Sequence, residues 1–319
     1  MKIAFRHVPF SSSMQKELTD LAVKNGYEAV WLPDSPAPDA KTLSECEILM
    51  GYFPTDVLKS LPNLKWLQTP AAGVDRLCGD LYANDDVILT NCSGAFGVAI
   101  AEYMLTGLLM LMRNMPAYAR NQHSRIWQED KICRSIYKST ITVVGMGDIG
   151  TKFAARAKAL GAHIRGVRRT LSAPDSIFDE VFETKDLMRA VKDADAVVLC
   201  LPATNETKGL ISKEILAAMN ENTILVNCGR GVTVDEKALT EALMNHKLAG
   251  AVLDVFEKEP LCSESPLWEM ENVIITPHIS GHDSDPVNAA QIFEIFKENL
   301  SLYFSGQKPK HVVDRKRGY

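Results

Sequence analysis

Ile141-Thr142-Val143-Val144-Gly145-Met146-Gly147-Asp148-Ile149-Gly150 is the stretch that decides the fold of this chain. The apolar run Ile141 to Val144 reads as a strand, the alanine-rich segment Thr151 to Leu160 reads as a helix, and the glycines fall in the turn between them. Glycine there permits a tight turn and close backbone approach. The helix N-terminus then presents free N–H groups and a positive dipole end, the arrangement that receives a pyrophosphate. The motif therefore points to a dinucleotide held by Gly145, Gly147, Asp148, Ile149 and Gly150.

The next segment, Gly161 to Val167, reads as the second strand of the unit and runs into Arg168-Arg169-Thr170. An acidic residue usually stands about 20 residues past such a motif and binds the ribose hydroxyls of NAD. Here the position holds Arg168. A carboxylate would repel a 2′-phosphate, whereas guanidinium groups bind one through charge-assisted hydrogen bonds, so NADP(H) is the expected cofactor, with NAD(H) still possible. The alternative is that Arg168 and Arg169 are solvated charges at a strand end.

Outward from this unit, the apolar runs at 141–144, 163–167, 196–201, 223–227, 249–253 and 272–275 read as six parallel strands separated by helices. On the N-terminal side, Lys2 to Phe5, Tyr27 to Trp31, Glu47 to Met50, Lys65 to Gln68 and Val87 to Thr90 read as the strands of a first α/β unit. One long helix from Val98 to about His123 links the two. A last amphipathic helix, Pro286 to Phe304, is expected to return to the first unit. The reading is thus an α/β protein of two doubly wound parallel sheets, with one domain from 1–96 and 286–319 and a dinucleotide-binding domain at 97–285.

The chain has 319 residues, 46% hydrophobic and 24% charged, and a formal charge of −5. These values describe an ordinary globular protein and argue against nucleic acid as a partner, the mildly basic Lys308 to Arg317 reading as solvated surface. The longest apolar stretch, Tyr103 to Met112, is too short to span a bilayer. The N-terminus reads as a first strand and not as a signal peptide. The seven cysteines are scattered and odd in number, which fits reduced thiols in the cytoplasm. No pair has the spacing of a zinc ribbon, and His282 beside Asp283 lacks a third ligand at recognisable spacing, so no metal is expected.

Three segments follow strands of the second unit at their carboxyl ends, where open α/β sheets bind ligands. Asn227-Cys228-Gly229-Arg230-Gly231 offers an arginine suited to a carboxylate; Asp254 to Pro260 offers carboxylates; Thr276 to Gly281 offers the imidazole of His278. Hydride transfer from a dinucleotide to a carbonyl leaves negative charge on its oxygen, so a proton donor and a neighbouring cation lower the barrier. A carboxylate next to the histidine would favour its imidazolium form.

Together these motifs, with Ala71-Ala72-Gly73-Val74-Asp75, Val234-Asp235-Glu236 and Ser265-Pro266-Leu267-Trp268, resemble the D-isomer-specific 2-hydroxyacid dehydrogenase family in order and spacing over roughly residues 45 to 285. The resemblance implies two Rossmann-like domains, the smaller flavodoxin-like and built from both termini, with the active site in the cleft between them. It implies that Arg230 binds the substrate carboxylate and polarises the keto group, that Glu259 pairs with His278, and that His278 is the acid/base. Glu257 competes for the acidic role, and only the family's E-x-E-P pattern selects Glu259. Backbone N–H groups of Ala72, Gly73 and Val74 are implied to hold the substrate carboxylate, an ordinary turn being the alternative. Tyr52 and Phe53 either set side-chain preference or simply pack in the core. The cofactor side is implied to include Leu201, Pro202 and Thr207, Cys228, Gly229 and Arg230, Asp254, His278, Ser280 and Gly281.

The implied activity is reversible NADPH-dependent reduction of a small 2-keto acid to the D-2-hydroxy acid, in a homodimer formed through the Val98 to His123 region. Arg168 departs from the acidic residue usual in the family. Glutamate at 259 speaks against the formate dehydrogenases, which carry glutamine there. Phosphoglycerate dehydrogenase is a weaker candidate, with no phosphate-binding cluster evident and no regulatory domain expected. The family also contains dinucleotide-binding corepressors that keep the catalytic residues, which leaves a binding protein as the alternative. A zinc-dependent alcohol dehydrogenase lacks ligands.

Overall fold

The computed structural model describes residues 1–129, 133–170, 176–316 and 318. The chain divides into two compact units, Met1–Phe96 with His282–Tyr319, and Gly97–Gly281. The second crossing lies four residues before the boundary read from the sequence. Although the last helix starts at Pro286, the chain from His282 already belongs with it: Asn288 Nδ2 donates to the His282 carbonyl at 2.8 Å.

In the first unit, β1 (Lys2–Arg6), β2 (Glu28–Leu32), β3 (Cys46–Gly51), β4 (Trp66–Gln68) and β5 (Ile88–Thr90) form a parallel sheet in the order β2-β1-β3-β4-β5. Helices α1 (Ser12–Lys24) and α2 (Ala40–Leu43) are capped by Ser11 and Asp39, whose side chains accept from Met14 N and Thr42 N. One layer of the core is built on Leu43, Leu49, Leu58, Leu67 and Leu89. The C-terminal helix completes the other. Phe293 and Phe296 meet the edge of Phe10, Tyr303 stacks on Trp66, and Asn299 Nδ2 donates to buried Gln68 Oε1 at 2.8 Å.

The second unit opens with α3 (Gly97–Met112) and α4 (Met115–His123). The single long helix expected from the sequence is broken, because Asn114 takes a left-handed conformation at φ +54° and Pro116 starts a new helix. Its sheet consists of β6 (Thr140–Val144), β7 (His163–Arg168), β8 (Glu180–Glu183), β9 (Ala196–Leu199), β10 (Ile224–Asn227), β11 (Gly250–Leu253) and β12 (Val273–Ile275). All are parallel, in the order β12-β11-β10-β9-β6-β7-β8. The six expected strands are therefore seven. The addition, β8, is an edge strand of four residues that pairs only with β7.

Helices α5 (Asp148–Ala159), α6 (Leu187–Val191), α7 (Lys213–Ala218) and α8 (Glu236–Met244) connect the strands, and α9 is the Pro286–Phe304 helix of the first unit. Helix α3 lies close against this sheet, since a Cβ at Gly107 would stand 2.6 Å from Val252 Cγ1. The strand order reverses between β6 and β9. At the carboxyl edge the glycine turn and the loop after β9 flank that switch point, and the segments after β10, β11 and β12 follow along the same edge.

Candidate active site

The glycine turn divides its labour among its three glycines. A Cβ at Gly145, where φ is +103°, would come within 2.6 Å of the Cys200 carbonyl oxygen, and one at Gly150 within 2.0 Å of the Gly145 carbonyl oxygen. Both are fixed by the turn itself. Around Gly147 nothing lies within 4 Å of the Cβ position. Gly147 is also the N-cap of α5, without a side-chain cap, and the first helical bond runs from Thr151 N to its carbonyl. The N–H groups of Asp148, Ile149 and Gly150 thus precede the helical ladder and face a position left clear of side chain, which fits a dinucleotide pyrophosphate. Asp148 itself turns to Lys152, 2.8 Å away.

Arg168 ends β7, in register with Glu183 of β8. Arg169 and Thr170 follow, exposed, and Arg169 Nη1 lies 3.1 Å from Glu206 Oε2. Glu206 belongs to the loop after β9. Within it Thr207 Oγ1 donates to the Pro202 carbonyl at 2.6 Å and Thr204 N donates to Thr207 Oγ1 at 2.9 Å. Thr207 therefore shapes the loop that presents Leu201 and Pro202.

After β10 the chain turns sharply. Asn227 Oδ1 accepts from Gly229 N at 3.1 Å, and Arg230 Nη1 donates to the Gly229 carbonyl at 2.8 Å. The glycines either side of Arg230 are required by packing. A Cβ at Gly229 would stand 2.7 Å from the Leu201 carbonyl oxygen, and one at Gly231 1.9 Å from the Phe256 carbonyl carbon. Arg230 is half-buried. Cys228 is buried, and desolvation pushes its thiol well above the usual range, so it stays a neutral packing residue.

Asp254, just beyond β11, has no exposed surface. Its Oδ1 accepts from Thr276 Oγ1 at 2.6 Å and Ile279 N at 2.8 Å, its Oδ2 from Ser280 N at 2.9 Å, and its carbonyl from His278 N at 2.9 Å. The carboxylate is thus committed to the loop that carries the histidine. His278 has φ +56°, and its Nδ1 lies 2.8 Å from Glu259 Oε2. Glu259 Oε1 accepts from Phe256 N at 3.1 Å, which fixes the carboxylate. Glu257 is exposed, and its backbone N–H donates to Glu236 Oε2 at 2.8 Å. Of the two acids in the E-x-E-P pattern, Glu259 is the one that meets the histidine.

Sequence reasoning missed Tyr103 of α3, whose hydroxyl lies 2.5 Å from Thr276 Oγ1. Burial pushes that hydroxyl up to about 12. The contact spans 173 positions, and no local pattern announces it.

In the first unit, Val74 packs in the core while Ala72 and Gly73 are half-buried. None of the hydrogen bonds among the described residues is donated by the backbone N–H of Ala72, Gly73 or Val74, and Asn91 Nδ2 holds the Ala72 carbonyl at 2.7 Å. Phe53 is a core residue. Tyr52 sits where strand order reverses between β1 and β3, its carbonyl accepting from Arg6 Nη1 at 2.7 Å. Burial, then Asp283, raises its hydroxyl above the usual range. His282 Nδ1 turns to Ser284 Oγ at 2.6 Å. Among the described residues no group of three or more His, Cys, Asp or Glu is placed to hold a metal, and no helix is long and apolar enough to cross a membrane. Arg317, the end of the basic tail, lies outside the described residues.

Residues 105–280 match the family model described as D-isomer specific 2-hydroxyacid dehydrogenase, NAD binding domain. A D-3-phosphoglycerate dehydrogenase from Methanocaldococcus jannaschii is 32% identical over 81% of this chain and 49% of its own, so the chain spans about half the length of that relative. A glyoxylate reductase from Korarchaeum cryptofilum is 30% identical over 90% of this chain and 89% of its own. Among solved structures, an NADPH-dependent glyoxylate/hydroxypyruvate reductase from Sinorhizobium meliloti, in complex with NADP and sulfate, is 26% identical, with a TM-score of 0.84 over 100% of both chains. The glycine turn, the strand order and these likenesses agree: the chain belongs to the D-isomer specific 2-hydroxyacid dehydrogenase family of oxidoreductases.

Proposed function

We propose that this protein reduces a small 2-keto acid to the D-2-hydroxy acid, using NADPH in preference to NADH. The observation that carries the reading is the 2.8 Å pair of His278 Nδ1 with Glu259 Oε2, in the same domain as Arg230 and the glycine turn. The nicotinamide, when bound, supplies the hydride that adds to the carbonyl carbon. His278 holds a proton at Nε2 and gives it to the carbonyl oxygen, where negative charge develops. Glu259 fixes the ring through Nδ1, so the other nitrogen faces the substrate. Arg230 grips the substrate carboxylate with its planar donors and draws charge from the carbonyl. In the first unit, Ala72, Gly73 and Val74 supply backbone donors for a carboxylate, and Tyr52 bears on the choice of side chain.

Arg168 and Arg169, in the place of the usual acid, bind the 2′-phosphate, a reading supported by the NADP held in the Sinorhizobium meliloti relative. A homodimer through the Val98 to His123 region is part of the same reading; exposed Met110 and Met115, with Ile126 and Trp127 just beyond, support it. Seven free cysteines are in keeping with the cytoplasm.

The test is oxidation of NADPH and of NADH, side by side, against glyoxylate, hydroxypyruvate, pyruvate, 2-ketoisocaproate and phenylpyruvate. NADPH-dependent turnover of any of these, abolished in His278→Ala and weakened in both kcat and KM in Arg230→Ala, supports the reading. Near-normal turnover by both variants would sink the site assignment.

A further inference from the structure

We propose that Tyr103 and Thr276 are positioning residues for the acid/base His278, acting through the buried carboxylate of Asp254. This rests on the reading of His278 given above, and deepens it. A carboxylate only accepts, so the 2.6 Å contact between Thr276 Oγ1 and Asp254 Oδ1 uses the single hydroxyl proton of Thr276. The 2.5 Å contact between Tyr103 and Thr276 therefore has one possible sense: the tyrosine donates. Burial pushes the Tyr103 hydroxyl up, which keeps its proton in place, so the chain runs from Tyr103 to Thr276 to Asp254.

Asp254 passes this order on. Its three side-chain acceptor contacts and its carbonyl bind Thr276, His278, Ile279 and Ser280, so the main chain from the histidine onward, and the Thr276 side chain before it, are tied to one inaccessible residue. The tie has work to do, because His278 stands at φ +56°, a conformation that persists in a non-glycine residue only where its surroundings over-determine it. Glu259 holds the ring and Asp254 holds the main chain. Tyr103 extends that hold to α3, a helix with no other part in the chemistry. A proton donor displaced by about 1 Å can lose roughly 100-fold in rate, so slack in the loop should appear in turnover before it appears in folding.

The experiment compares the full-length protein with Tyr103→Phe, Thr276→Val, Thr276→Ser, the Tyr103→Phe/Thr276→Val double variant and His278→Ala. Each is measured for kcat, KM of keto acid and of NADPH, and thermal midpoint. Tyr103→Phe keeps the ring and removes only the donor. The expected result is a kcat about tenfold lower, with the KM for NADPH and the thermal midpoint close to wild type. Thr276→Val falls alike, Thr276→Ser recovers most of the loss, and the double variant is no worse than its singles because one chain is cut twice. Wild-type turnover in Tyr103→Phe, with His278→Ala inactive, overturns the proposal and leaves the reading of His278 standing. A loss that tracks the thermal midpoint or the affinity for NADPH overturns it in favour of simple packing. Turnover undiminished in His278→Ala removes the underlying reading and the proposal with it.

Discussion

Replacing Glu259 by glutamine keeps the shape of the pair with His278 and removes its charge. Glutamine Oε1 can still accept from Phe256 N, now 3.1 Å from the carboxylate, so the side chain stays where it is. What changes is the facing atom, since an amide NH2 replaces the anion 2.8 Å from His278 Nδ1. Unit charges at that distance interact by about 1.5 kcal/mol in bulk water. The side chains are 47% and 31% exposed, so solvent screening keeps the estimate near that lower value in the free protein. Charge-assisted hydrogen bonds reach about 3 kcal/mol when partners are dehydrated, as they become once substrate covers them. The expected loss in kcat/KM therefore lies between about 10-fold and 150-fold. It should fall mainly on kcat, because the partner acts on the proton donor and not on cofactor binding. Steady-state NADPH oxidation measures it, with Glu257→Gln as the matched control, expected to behave as wild type. A Glu259→Gln enzyme within twofold of wild type, or a control equally impaired, would refute the assignment of Glu259 as the partner of the acid/base.

Other substitutions test the remaining parts. Arg168→Asp should reverse the preference from NADPH toward NADH, read as the ratio of kcat/KM for the two cofactors; an unchanged ratio would make Arg168 surface charge. Glu206→Gln removes the exposed ion pair with Arg169 and, on the proposed reading, an anion near the 2′-phosphate. An anion about 7 Å from the phosphate would cost about 0.6 kcal/mol in water, so the KM for NADPH should fall some twofold to threefold while that for NADH stays put. Gly150→Ala forces a Cβ to within 2.0 Å of the Gly145 carbonyl oxygen and should cost about 1–3 kcal/mol, lowering the thermal midpoint by roughly 2–12 °C. A midpoint unmoved would mean that the turn relaxes freely.

Sequence patterns revealed most of the architecture because buried parallel strands are continuous apolar runs. The five strands of the first sheet and six of the second stand within a few residues of where those runs lie. The missed strand, Glu-Val-Phe-Glu at 180–183, is short, polar at both ends and paired on one side only, so it carries no such run. The break between α3 and α4 was legible in Arg113-Asn114-Met115-Pro116, since asparagine tolerates the left-handed turn and proline suits the first turn of a helix. The apolar residues on either side hid it. Of the candidate site, Arg230 and His278 stand out by residue type after a strand, whereas Glu259 is set apart from Glu257 only by the family's E-x-E-P pattern. Tyr103 does not stand out: a tyrosine inside an apolar helix looks like core, and its partner lies at the far end of the domain sequence. Asp254 is expected from the resemblance near the nicotinamide end, and its tie to Thr276, Ile279 and Ser280 is something that only the folded loop discloses.

The glycine turn separates two kinds of constraint that are usually confounded. At 145 and 150 the chain itself forbids a side chain, so any descendant that keeps this fold must keep glycine there, whatever it binds. At 147 the fold is indifferent, because φ is −82° and the space beside it is empty. Only a ligand pressed against the backbone would hold that position to glycine. A lineage that abandoned the dinucleotide would let residue 147 drift while its two neighbours stayed fixed. Alanine at 147 accordingly offers a way to blind the domain without unfolding it, and to learn which of the protein's cellular effects require an occupied cofactor site.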